Sequence, residues 1–310
     1  MYLSKHGKSG FTLLEMLITT GAFAVVLGTL FIVVKMGSDS WLKVQSQRST
    51  QVMLRNVEIY MLDDLRRASL SQMKVEKLSV GGVESQVLWF LSAMGYDDSK
   101  TADRQAVFTR TVSGEPVWKR NIVYYMTPIS DKLHEARYHY TCPDKATCPH
   151  KMLIRKEIVW KGDSQNKDFK PAELLTAEEV KTFLPKSYLN SMTEADGDAD
   201  AWGNKDELKL PGCKSRICVA ECMYDFQVKI FKADDAKVDT VSNIKNYGIN
   251  VSLTAFNHEE ASRNVNAQKV IEDYDNTKVW ESEMSESDRD KYLAGRRYLL
   301  KYNFRVMPNN

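Results

Sequence analysis

The sequence predicts an α+β fold, a long N-terminal helix packed on an antiparallel β-sheet head, and three observations carry that reading. The 24 residues from Phe11 to Val34 are apolar, with Glu15 the only charged residue among them. From Lys35 to about Ser69 no proline interrupts the chain, and Leu54, Val57, Met61, Leu65 and Ala68 recur at three-and-four spacing. Beyond about Lys74 the pattern changes to period two with β-rich composition.

About 20 helical residues cross a hydrocarbon core, so residues 11–34 read as a membrane helix. Lys5 and Lys8 precede it, which by the positive-inside tendency keeps residues 1–10 cytoplasmic and the remainder outside. Glu15 is out of keeping with a plain anchor, since an acidic residue near mid-membrane costs about 2.5–3.5 kcal/mol on insertion scales. A secretory signal has its small-residue cleavage site after the apolar core; here Gly10 comes before it. A cut between Gly10 and Phe11 would release the basic leader and leave the helix on the mature chain. The alternative is a signal anchor carrying an accidental glutamate.

Gly10-Phe11-Thr12-Leu13-Leu14-Glu15 resembles the prepilin peptidase site of type IV pilins and of the pseudopilins of type II secretion. The resemblance implies cleavage after Gly10 and N-methylation of the new terminal Phe11. It also implies pairing of Glu15 with the terminal amine of a neighbouring subunit during assembly. A partner of that kind is what makes an intramembrane charge tolerable. The implied partners are other pilins or pseudopilins through the N-terminal helix, the prepilin peptidase, the inner-membrane assembly platform and the membrane. The implied location is the inner membrane, single-pass with the head outside the cytoplasm, followed by a pilus or pseudopilus.

Residues 35–70 continue the first helix as an amphipathic half whose stripe faces the head; a dimerising coiled coil is the alternative, but strict heptads are not sustained. Strands are expected at Gln86–Leu91, Ala106–Val112, Ile122–Met126, Arg137–Tyr140 and Met152–Trp160. Three more are expected at Tyr224–Ile230, Ile249–Ala255 and Tyr298–Val306, where apolar and polar residues alternate. Such alternation suits an antiparallel sheet with one wet face. Met61-Leu62-Asp63-Asp64-Leu65-Arg66-Arg67-Ala68 and the strand order after it are similar to J-type pseudopilins and PilW-type minor pilins. The segment from about 141 to 222 departs from that pattern as a cysteine-bearing insertion.

Within that segment a helix is expected over Ala172–Phe183, closed by Pro185. Asp196, Asp198, Asp200 and Glu207 then fall at positions one, three, five and twelve of an EF-hand calcium loop. The glycine such a loop needs at position six is Ala201, so calcium binding and a solvated acidic loop are both open. The five cysteines, Cys142, Cys148, Cys213, Cys218 and Cys222, lie in the middle of a chain read as exported. Disulfides are the default there, as a Cys142–Cys148 bridge and one bridge in the second group, with one thiol left over. A zinc site assisted by His150 is the competing reading, although neither spacing is a C-x-x-C knuckle.

The 310 residues carry 43 basic and 41 acidic side chains, a balance unlike the basic footprint of a nucleic-acid binder. The histidines stand near no recognisable nucleophile or metal motif, and no phosphate-cradling glycine loop is present. Two further helices are expected near Glu259–Ile271 and Glu286–Gly295. The reading that follows is a minor pilin or pseudopilin, not an enzyme, that helps initiate assembly near a filament tip. A tip-displayed adhesin or substrate-binding module is the alternative, and a membrane-anchored exoplasmic enzyme a third.

Overall fold

The computed structural model describes residues 12–68, 70–96, 106–108, 112–114, 117–139, 142, 144–158, 173–186, 213–231, 248–262 and 298–307. The chain divides into two compact units, Met1–Arg48 and Ser49–Asn310. Helix α1 (Leu13–Leu65) runs unbroken for 53 residues through that boundary. It ends a few residues before the expected Ser69, where Arg67 and Ala68 close tighter turns onto Asp64 and Leu65. In the first unit the large apolar side chains from Leu13 to Val34 are exposed, and α1 is long and apolar enough to cross a membrane.

The second unit is built on a seven-stranded antiparallel sheet. Its strands, in spatial order, are β1 (Met73–Val80), β2 (Val83–Ser92), β5 (Arg120–Thr127), β6 (Lys151–Ile158), β7 (Cys213–Phe231), β8 (Gly248–Phe256) and β9 (Leu299–Val306). Spatial order follows chain order, so that each of these strands pairs with the next one along the chain. The exception is a detached pair, β3 (Met94–Tyr96) with β4 (Ala106–Phe108). Expected strand Ala106–Val112 is thus represented by β4, with Val112 already in a turn.

One sheet face is sealed by the last turns of α1. Leu54, Val57, Met61 and Leu65 are fully buried and pack with Leu88, Phe90, Tyr124, Leu153, Phe226 and Val251. That is the stripe at three-and-four spacing, and each such side chain contributes about 1.5–3 kcal/mol by leaving water. A charged network crosses the same seam. Asp64 accepts hydrogen bonds from Tyr124 Oη (2.5 Å) and from Arg155 Nε and Nη2 (2.6 and 2.9 Å). Arg155 Nη1 in turn donates to Glu157 (2.7 Å), which also accepts from Arg120. Burial acts to raise the Glu157 carboxyl, but the Arg155 and Arg120 guanidiniums outweigh it and hold the group below the usual carboxylate range.

The opposite face is covered too, so the expected wet face is corrected for the middle of the sheet. Every residue of β5 and β6 is buried. Helix α2 (Asp131–Tyr138) and helix α3 (Ala177–Phe183) supply the cover. Val87, Trp89, Val123, Tyr125 and Ile154 pack there with Tyr138, Leu175, Val180 and Phe183. Polar bonds from the sheet hold residues 173–186 in place. Trp89 Nε1 donates to Leu175 O (2.8 Å), and Asn121 both donates to Glu173 O (3.0 Å) and accepts from Leu175 N (3.2 Å). Lys156 Nζ donates to Phe183 O, and Gly81 N to Pro185 O (2.7 Å).

Two local predictions are revised. Within the segment expected as strand Arg137–Tyr140, Arg137 and Tyr138 are the end of α2 and Tyr140 lies outside the described residues: Ser130 Oγ caps the helix start by accepting from Leu133 N, and His139 ends it with φ 62°. Aromatic composition favoured a strand there, but the caps and burial of His134 and Tyr138 at i, i+4 decide for helix. Helix α3 starts at Ala177 rather than Ala172, because Thr176 and Glu179 form a reciprocal capping box. Near the expected helix Glu259–Ile271 stands the single turn α4 (His258–Ala261), and Glu286–Gly295 lies outside the described residues.

Candidate functional sites

At the start of α1, Glu15 turns back onto Thr12. Its Oε2 accepts from Thr12 N and Thr12 Oγ1, both at 2.9 Å, while Glu15 N donates to Thr12 Oγ1 (3.3 Å). This is a capping box, in which the carboxylate satisfies donors that a helix start leaves open. A single chain therefore gives Glu15 a local role besides any pairing with a second chain. Gly10 and Phe11 lie outside the described residues, as do Asp196, Asp198, Asp200 and Glu207 of the calcium spacing.

The second site lies at one end of the sheet. Four buried side chains converge there: His134 from α2, and Cys142, Cys148 and His150 from the connection between α2 and β6. One ligand-capable atom from each lies within 4.8 Å of the others. His134 Nε2 is 2.9 Å from His150 Nδ1 and 3.3 Å from Cys142 Sγ, and Cys148 Sγ is 4.0 Å from His150 Nδ1. The connection is shaped locally, with Asp144 accepting from Ala146 N (2.9 Å) and Thr147 Oγ1 (3.2 Å) in an Asx turn. Lys145 pairs with Asp131, and Lys151 Nζ donates to Ala146 O.

A second layer backs these four. His150 Nε2 is 3.2 Å from His258 Nδ1 at the start of α4, which orients the ring through the nitrogen that points away from the cluster. Tyr138 lies against His150 at 4.0 Å between ring centroids, and Phe256 meets it edge-on at 5.0 Å. Strand β7 carries an extra residue where it faces Lys151–Leu153, and there Cys222 adopts φ 51°. A bulge of this kind redirects a side chain, and Cys222 Sγ meets Tyr138 Oη at 3.3 Å.

The electrostatics divide the cysteines. Burial pushes the Cys218 thiol up to about 12 and the Cys222 thiol up to about 11. Cys148 moves the other way: hydrogen bonding to Cys142 foremost, and to His134 and His150, holds it far below the usual thiol range despite burial. Burial pulls His150 down to about 4, leaving a neutral imidazole at physiological pH. A thiolate beside neutral imidazole is the protonation state a metal ion needs.

Both cysteines of the expected Cys142–Cys148 bridge belong to this group, Cys218 and Cys222 lie on β7, and the side chain of Cys213 lies outside the described residues. The grouping includes His150 of the zinc alternative and adds His134, which spacing alone did not single out. The available signal was three histidines and two cysteines within the 17 residues 134–150. Comparison with family models, curated proteins and solved structures finds no match for this chain.

Proposed function

We propose that this chain is a minor pilin or pseudopilin, trimmed between Gly10 and Phe11 and assembled through α1 into a filament or pseudopilus. One observation carries the reading. The Gly10-to-Glu15 motif stands at the head of a continuous helix whose first half is apolar and exposed and whose last turns seal one face of an antiparallel sheet. In this reading the exposed half lies in the inner membrane before assembly and against neighbouring helices afterwards, with the head outside the cytoplasm. Glu15 then serves twice, capping its own helix and meeting the Phe11 amine of a neighbour. The prepilin peptidase and the inner-membrane assembly platform are the partners this route requires.

Mass spectrometry of the mature N-terminus tests processing. The expected product starts at an N-methylated Phe11, and Gly10→Val leaves the leader attached. A mature chain that retains residues 1–10 would overturn the reading. Glu15→Gln separates the two roles of the acid, because glutamine preserves the capping box while removing the charge. Assembly that fails in Glu15→Gln assigns the role to charge pairing; assembly lost only in Glu15→Ala assigns it to the cap.

A further inference from the structure

We propose that His134 Nε2, His150 Nδ1, Cys142 Sγ and Cys148 Sγ hold one zinc ion in a closed tetrahedral site that clasps the α2–β6 connection to the sheet. The proposal stands apart from the filament reading, since its residues lie elsewhere in the chain and its test reads metal rather than assembly.

The geometry suits that ion. Zinc binds sulfur at about 2.3 Å and imidazole nitrogen at about 2.0–2.1 Å, so tetrahedral edges are about 3.3 Å between nitrogens and about 3.6 Å between nitrogen and sulfur. Three of the six corresponding separations are 2.9 Å for the two nitrogens and 3.3 and 4.0 Å for two nitrogen–sulfur pairs, each a few tenths of an ångström from the tetrahedral edge, and the others lie within 4.8 Å. Two thiolates with two imidazoles form a donor set that selects zinc over the oxygen-seeking magnesium and calcium. All four residues are buried, at 0, 4, 1 and 1 % exposure for His134, Cys142, Cys148 and His150. With four protein ligands and no open position, the site is structural in kind.

The surroundings have the second layer that such sites use. When His150 ligates through Nδ1, its Nε2 carries the proton and donates to His258 Nδ1 (3.2 Å), fixing both tautomer and ring plane. The metal therefore links α2, the connection after it and, through His258, the end of β8. Binding displaces the proton of any ligand still present as a thiol, so zinc uptake releases protons to the buffer.

The test uses the full-length chain, extracted from membranes in detergent without chelator. Elemental analysis should find about one zinc per chain, with Cys142 and Cys148 resisting alkylation until a chelator is added. Cobalt exchanged into the site should show intense tetrahedral d–d bands together with thiolate-to-cobalt charge transfer. Cys142→Ser and Cys148→Ser should lose the metal, whereas Cys218→Ser should retain it. His258→Ala should keep the stoichiometry and weaken zinc affinity about 10–100-fold, the range for loss of an outer partner. Chelation should speed amide exchange across 131–150 and leave the α1 seam protected. A Cys142–Cys148 disulfide in the chain as isolated would overturn the proposal. So would a reduced, unaltered chain that takes up neither zinc nor cobalt, a result that needs no variant to fold.

Discussion

The two faces of the sheet are closed by different physics. On one, α1 lays a regular stripe of Leu54, Val57, Met61 and Leu65 across the strands, and its closure is mostly apolar area reinforced by Asp64 and Arg155. On the other, α2 and α3 are short, with eight and seven residues. Helices of that length are unstable alone, so packing and specific bonds must hold them. Trp89, Asn121 and Lys156 supply those bonds around α3, while the histidine–cysteine cluster gathers the connection after α2. A face sealed by area should fail globally, and a face sealed by point contacts should fail piece by piece.

Substitutions can break that contrast, beginning with the largest expected effect. Asp64→Ala leaves Arg155 buried beside Glu157 alone, and should destabilise the head by about 3–5 kcal/mol. Leu54→Ala empties a fully buried position on the seam and should cost about 2–5 kcal/mol. For both, denaturant unfolding should remain a single transition with a lower midpoint. Trp89→Phe removes the donor to Leu175 O and should cost about 1–3 kcal/mol. Its readout is local, as faster amide exchange over 173–186 than in β8. Thr176→Ala removes one half of the capping box and should cost about 1 kcal/mol, confined to α3 by the same measurement. If Trp89→Phe lowered protection uniformly across both faces, the contrast between global and local closure would be wrong.

Acid sharpens the comparison from the other side. Glu157 has a folded-state pKa below its ordinary value, so its stabilisation is present above the unfolded carboxylate range and is lost as pH falls through the folded value. Acid unfolding monitored at Tyr124 should therefore begin below about pH 4.3. Glu157→Gln should flatten that limb, and an unchanged acid limb would remove the network from the account.

The sequence by itself determined what depends on periodicity. The apolar half of α1, its amphipathic continuation and the strands β2, β5, β6, β8 and β9 are legible because side-chain spacing of 3.6 or 2 residues is a local property of the chain. The capping box of α3 was equally local, in Thr176 and Glu179, but the helical composition before it pulled the expected start to Ala172. Tertiary structure alone decided that both faces of β5 and β6 are covered, since Arg155, Lys156 and Glu157 of β6 read locally as solvent-facing charges and are buried against Asp64, Phe183 O and Arg120 from distant parts of the chain. It also decided the cluster of His134, Cys142, Cys148 and His150. No local period joins those four; a helix cap at His139, an Asx turn at Asp144 and the bulge at Cys222 bring them together, with His258 arriving from 108 residues beyond His150. Spacing reports which face a residue shares with its neighbours, whereas convergence of distant side chains is a property of the folded chain.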